Sequence, residues 1–288
     1  MTDPVIVGYD GFERSLRALI WAAHDAALHG CPLYIVHVLP AWEMDFPFHP
    51  PGRWQSASRR GAAILAEAEA MVRESHPDLD VGCQQLSGSP SEVLCSVSKQ
   101  ARNVVLGARG EGGLGNLLFG SVGLQVAGHA DGPVVVVGQL TTGHHRVVVG
   151  TDGSPHSVSA MEFAFDEASL RGTRLQVLRV WQMPVPAEAP ERELVPEDVE
   201  AEQRREVEEQ LAGLRKKYPD VEIETELVRG KAAPALVRAS DRADLAVVGS
   251  RGRGGFHGLA LGSVGHALLH YGTCPIAVVR PRPEPARE

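Results

Sequence analysis

The sequence predicts an α/β protein built twice over, and three observations carry that prediction. Short β-branched runs alternate with longer helical stretches, the runs are continuous in Val, Ile and Leu, and the whole order recurs after 142 residues. Alternation of strand and helix marks a parallel sheet. An unbroken apolar strand is buried on both faces, so helices must cover both sides. A period of this length is a domain, not a solenoid repeat. Val5-Ile6-Val7-Gly8-Tyr9-Asp10-Gly11 is answered by Val147-Val148-Val149-Gly150-Thr151-Asp152-Gly153, and Ser15, Gly30, Pro77, Gly88 and Pro133 by Ser157, Gly172, Pro219, Gly230 and Pro275. Two domains are expected, 1–139 and 146–288, with the short polar stretch from Gly138 to His145 as linker. Each is large enough to bury its own core.

Taken in order, the first half places strands at 5–8, 33–39, 81–86, 104–107 and 134–137. The second places them at 147–150, 174–180, 222–228, 245–249 and 276–279. Between the first two strands, Leu16, Leu19, Ile20 and Ala23 recur at helical spacing from Ser15 to Leu28, and Gly30 supplies the C-terminal cap. From Glu197 to Lys217, Val199, Val207, Leu211 and Leu214 form one stripe, and the charge run Glu202–Glu209 reads as a solvated face. Residues 40–55, with Trp42, Phe46, Phe48, Trp54 and four prolines, read as a loop: a lid, a partner-facing surface, or a segment packed on its own domain.

Composition narrows the class. A net charge of −8 argues against nucleic acid held by a general positive field. No apolar run approaches the roughly 20 residues of a membrane span, and no secretion signal opens the chain. Cys31, Cys83, Cys95 and Cys274 are scattered, as buried small hydrophobes of a reducing compartment are. The expected localisation is cytoplasmic.

The candidate chemistry lies in a glycine-rich pattern present twice. Gly107-Ala108-Arg109-Gly110 is followed after nine residues by Gly120-Ser121, and Gly249-Ser250-Arg251-Gly252 after nine by Gly262-Ser263; 10 of 17 positions are identical between 107–123 and 249–265. Each loop follows the fourth strand and leads into a helix. Phosphate needs this combination: glycines that expose backbone N–H groups, and a helix N-terminus with its partial positive charge. Ser121 and Ser263 can donate a hydroxyl, and Arg109, Arg251 and Arg253 add charge. The first strand of each half ends at Asp10 or Asp152. A carboxylate there can meet ribose hydroxyls or the metal of a nucleotide, since open parallel sheets bind ligands beyond their strands' carboxyl ends. It can equally cap the first helix.

Other signatures are weaker. No G-x-x-x-x-G-K-[ST] occurs. Gly110 to Gly115 matches G-x-G-x-x-G by letters but follows the fourth strand, and His257 breaks the second copy. His266 and His270 are spaced i,i+4 without H-E-x-x-H or a neighbouring carboxylate, as surface histidines are. Within the loops Glu111 stands where the second half has Arg253. A carboxylate pointing inward there would cost roughly 1–3 kcal/mol per phosphate charge, so the second site is expected to bind more tightly.

With G-x-x-G, nine residues and G-[ST] in both halves, the chain resembles the universal stress protein family in its tandem, ATP-binding form, over nearly all its length. The first-strand Asp followed by Gly-x-x-x-Ser, the endings His37-Val38 and Arg179-Val180, and the terminal Pro-(Val/Ile)-x-Val-Val also fit. The resemblance implies two Rossmann-like, adenine nucleotide α-hydrolase-like domains, each a five-stranded parallel sheet flanked by helices and binding ATP with Mg2+. It implies pairing through last strands, here residues 134–137 with 276–279, or between chains in a homodimer. By the same resemblance Asp10 and Asp152 approach ribose or metal, and the backbones of Val38 and Val180 the adenine. Gly107, Gly110, Gly120 and Ser121 hold phosphates in the first half, and Gly249, Gly252, Gly262 and Ser263 in the second. The expected function is an ATP-binding regulator of the stress response, read by a protein partner, with little or no hydrolysis. The alternative is a slow ATPase or adenylyl-transfer enzyme on the same fold.

Overall fold

The computed structural model describes residues 2–40, 53–108, 120–183, 195–254 and 260–282. By compactness the chain forms two units, Met1–Leu140 with Pro275–Glu288, and Thr141–Cys274. The α/β class expected from the sequence is the observed one. No helix among the described residues is long and apolar enough to cross a membrane.

The first unit runs β1 (Val5–Gly8), α1 (Glu13–His29), β2 (Leu33–Pro40), α2 (Arg53–Ser75), β3 (Val81–Gly88), α3 (Pro90–Val97), β4 (Asn103–Gly107), α4 (Ser121–His129) and β5 (Val134–Val137). Its sheet order is β3-β2-β1-β4-β5, followed by the chain's last strand, β10 (Ile276–Val279). The five repeat strands are parallel, with Val5 opposite Leu33 and Asn103. Val5, Val7, Leu33, Ile35, Val104 and Val105 are wholly buried, as strands covered on both faces should be. Gly30 caps α1 with φ 58°, the left-handed geometry that glycine adopts without a Cβ penalty. One core assignment is corrected: Ile20 is 50% exposed. The helix buries Ala18, Leu19, Ala22 and Ala23, so the stripe facing the sheet is narrower than the spacing suggests.

Strand β10 lies antiparallel to β5, with Ile276 opposite Val136, Ala277 opposite Val135 and Val278 opposite Val134. This is the last-strand pairing that the resemblance implies, made within one chain. Four consecutive valines would otherwise present an open apolar edge. Removing residues 276–288 is therefore expected to produce aggregation visible by light scattering; a soluble, monodisperse truncation would refute this role for β10.

The second unit runs β6 (Arg146–Thr151), α5 (Pro155–Arg171), β7 (Arg174–Trp181), α6 (Pro196–Lys217), β8 (Ile223–Arg229), α7 (Ala232–Ser240), β9 (Leu245–Gly249) and α8 (Ser263–Tyr271). Its parallel order is β9-β6-β7-β8. Phe165, Met161, Leu175, Leu211, Leu245 and Leu268 form its core. In both units the first strand lies between the second and the fourth, so the loops after strands one and four meet at the same end of the sheet. Residues 41–52 lie outside the described residues, and with them most of the loop expected at 40–55; its last residues, 53–55, already belong to α2.

Candidate functional site

Each glycine-rich loop starts where its strand stops and ends where a helix begins. Gly107 and Gly249 are the last residues of β4 and β9. Gly120 and Gly262 are the N-caps of α4 and α8, neither with a side-chain cap, and Ser121 and Ser263 are the first helical residues. The loops close in the same way: Gly120 N donates to Ala108 O at 3.0 Å, and Gly262 N to Ser250 O at 2.8 Å. An uncapped helix start leaves backbone N–H groups for an external acceptor. Ser121 and Ser263 are exposed there. Arg109, Gly110, Glu111 and His257 lie outside the described residues.

The first-strand carboxylates are tied down differently in the two units. Asp10 Oδ1 accepts from Ser15 Oγ at 2.5 Å and Phe12 N at 3.1 Å, a turn that leads into α1; the N-cap itself is Phe12, without a side-chain cap, so the expected capping role is not filled by Asp10. Asp152 is not the cap of α5 either: Ser154 is, its hydroxyl accepting from Ser157 N at 3.3 Å, and Asp152 Oδ1 in turn accepts from Ser154 N at 3.0 Å. Its Oδ2 takes the backbone N–H of Arg253 at 2.7 Å, which draws the glycine-rich loop onto the end of β6. Gly252 permits that approach, because a Cβ there would overlap Asp152 Oδ2. Ser154 Oγ adds a long bond to Arg251 O at 3.5 Å. Asp152, Arg251, Gly252 and Arg253 are thus brought together, and Gly262, the N-cap of α8, packs against Arg251 and Gly252. Val38 and Val180 are half-buried in the second strand of each unit.

Burial alone would raise the Asp152 pKa, but hydrogen bonds from Ser154, Arg253 and Ser157 outweigh it and hold the pKa below 3.8. A depressed carboxylate pKa stabilises the fold fully above the unfolded value and loses that contribution as pH falls through the folded one. Asp152→Asn is therefore expected to lower the urea midpoint near neutrality, with the difference from wild type closing only below about pH 4. A difference that stays constant into acid would show that Asp152 is not held as a carboxylate.

The sequence reading missed a second layer around this aspartate. It assigned Glu202–Glu209 to a solvated face, and the structure splits that run. Arg204, Arg205 and Glu208 pair along the exposed helix, whereas Gln203, Glu206 and Gln210 turn inward. The guanidinium of Arg179, 4% exposed, donates to Gln203 Oε1 at 2.8 and 2.5 Å and to Glu206 Oε2 at 2.8 Å. Arg253 Nη2 reaches the same Glu206 oxygen at 3.4 Å, and Thr151 Oγ1 donates to Gln210 Oε1 at 2.9 Å. The signal was available: positions 203, 206 and 210 share a helical face with the buried Val207 and Leu211. Their polarity hid it.

The remaining candidates are inert. All four cysteines are free, and burial pushes the Cys83 and Cys274 thiols up to about 11 and about 12. The His266 and His270 rings stack with centroids 6.1 Å apart.

The chain is similar to known proteins over nearly all its length. The model of the Universal stress protein family matches residues 1–138 and 143–280. A universal stress protein of Mycobacterium tuberculosis is 35% identical over 310 residues, covering 98% of this chain and 96% of the relative. One from Mycolicibacterium smegmatis is 37% identical over 290 residues, covering 96% and 97%. The crystal structure of a universal stress protein from Archaeoglobus fulgidus superposes with a TM-score of 0.72 at 20% identity, covering 98% of this chain and 97% of that one.

Proposed function

The chain belongs to the universal stress protein family, and from that premise we propose that it is a nucleotide-binding regulatory protein, each domain taking ATP with Mg2+ and turning it over slowly or not at all. The observation that carries this reading is the pair of uncapped helix starts, each reached from a strand end through the same glycine spacing. Two buried polar groups of the second loop, Ser250 Oγ and Arg251 Nε, also have no hydrogen-bond partner among the described residues. Such groups are costly unless something pairs with them, and a phosphate chain is an acceptor of the right kind. We take Gly107, Arg109, Gly110, Gly120 and Ser121, with Gly249, Arg251, Gly252, Arg253, Gly262 and Ser263, as the phosphate-binding set. Asp10 and Asp152 would serve the ribose or the ion, and the Val38 and Val180 backbones the base. Bound Mg2+ would supply charge neutralisation for the phosphates.

Slow turnover follows from the state of Asp152. It is the loop's nearest described carboxylate, yet both oxygens accept N–H bonds and its pKa is depressed. A general base works best with a pKa near the working pH, so this group is poorly suited to activate water. The nucleotide would instead order the loops and change a surface that a protein partner reads. The proposed domains are 1–139 and 146–288, in the cytoplasm.

The test is the nucleotide content of the purified protein, denatured and assayed for ATP, ADP and AMP per chain. About two equivalents of ATP would establish two sites with chemistry too slow to consume it. Recovery of ADP or AMP would favour the slow ATPase or adenylyl-transfer reading. A protein that is empty and ignores added Mg-ATP would remove the nucleotide reading altogether.

A further inference from the structure

Resting on that nucleotide reading, we propose that the two sites are not equivalent: the first selects its ligand by the base, the second by the phosphate chain, and the residues that decide are His37, Gly61 and Ile64 against Arg179, Gln203 and Glu206. Topology supplies the first step. Phosphates at the loop after β4 or β9 leave the rest of a nucleotide to cross the end of β1 or β6 toward β2 or β7, the neighbouring strand on the far side. The helix over that strand, α2 or α6, then forms the wall the base meets.

The two walls correspond position by position at the 142-residue offset, and their chemistry is opposite. In the first unit His37 Nδ1 bonds Tyr9 O at 2.8 Å. Gly61 lies against the His37 ring, where an added Cβ would stand 2.8 Å from Cδ2, and Ile64 comes within 3.3 Å of a Cβ built on Gly11. Gly61 and Ile64 bring no charge to this wall. In the second unit the same three places hold Arg179, Gln203 and Glu206, joined to one another and to Arg253. Arg253 Nη2 lies 2.5 Å from the Cβ position of Gly153 and Gln210 Nε2 3.0 Å from it, so this wall reaches over the end of β6.

These differences set what each wall can recognise. A purine laid on Ile64 buries apolar surface on both partners, so the presence of the base adds to affinity there. Against Arg179–Gln203–Glu206 the same ring meets groups whose hydrogen bonds are already committed to each other, so it gains little and is judged weakly. The second site instead holds the half-exposed Arg253 beside the loop, a cation that can move from Glu206 to a phosphate.

The experiment is calorimetric titration of the full chain with Mg-ATP, Mg-GTP and Mg-tripolyphosphate. Each site is silenced in turn by Ser121→Asp or Ser263→Asp, which set a carboxylate against phosphate at a helix start that tolerates it. With the second site silenced, the first is expected to lose at least about tenfold from ATP or GTP to tripolyphosphate, and with the first silenced the second to lose less than about threefold. Arg179→His/Gln203→Gly/Glu206→Ile should confer the ATP preference on the second site. Ile64→Glu, at a half-buried position, should erase it from the first and guards against misfolding of the triple variant. Equal loss from ATP to tripolyphosphate at both sites, or walls exchanged without effect on that ratio, would overturn the proposal while leaving nucleotide binding intact. Failure of all three probes to bind would overturn both.

Discussion

Gly252→Val is expected to abolish nucleotide binding at the second unit, by at least about thirtyfold or ~2 kcal/mol, with the fold retained. The residue is exposed, so the core does not feel the change. What it feels is Asp152: a Cβ at 252 would overlap Oδ2, which now accepts the Arg253 N–H at 2.7 Å. The carboxylate and the loop cannot both keep their places, and the backbone N–H groups around Gly252 lose the geometry a phosphate requires. Titration should find one fewer equivalent of Mg-ATP and an unchanged far-ultraviolet circular dichroism spectrum. Retention of every equivalent would remove the second loop from the site.

The second large effect is on stability. Gly249→Ala should destabilise the second unit by about 3 kcal/mol, the upper range for overpacking. Its Cβ would stand 2.7 Å from the carbonyl carbon of His156 and 2.8 Å from its oxygen. Those atoms belong to the first turn of α5, so no side chain can rotate away to make room. Gly107 faces the backbone of Arg14 and Ser15 at 2.7–2.9 Å in the same manner, and Gly107→Ala should act alike on the first unit. Urea unfolding of either variant reads the effect; a midpoint within error of wild type would show that helix and strand can separate at little cost.

Both positions recur at fixed spacing, which is why they were legible before any coordinates. Gly107 and Gly249 must each admit a helix backbone, and that need leaves the same mark in both copies. The strands were legible because they are covered on both faces, so Val147-Val148-Val149 and Val134–Val137 read without ambiguity. Ile20 and the run Glu202–Glu209 were misread for one reason. Periodicity says which residues share a face, not how wide the buried part of that face is. Ile20 sits beyond the edge of a narrow stripe, while Glu206 sits inside a wide one.

The sequence by itself determined the duplicated α/β architecture, the paired glycine-rich loops and the two first-strand aspartates, since each depends on local spacing or on burial that every residue of a strand shares. Only the tertiary structure decided what those aspartates bond to, how wide the inward face of α6 is, and that Arg179 and Arg253 meet at Glu206 while the Arg253 backbone reaches Asp152. Those residues lie up to 101 positions apart. Their meeting is set by the packing of a helix on a strand end, and a buried charge is stable there only because its partners arrive from other elements.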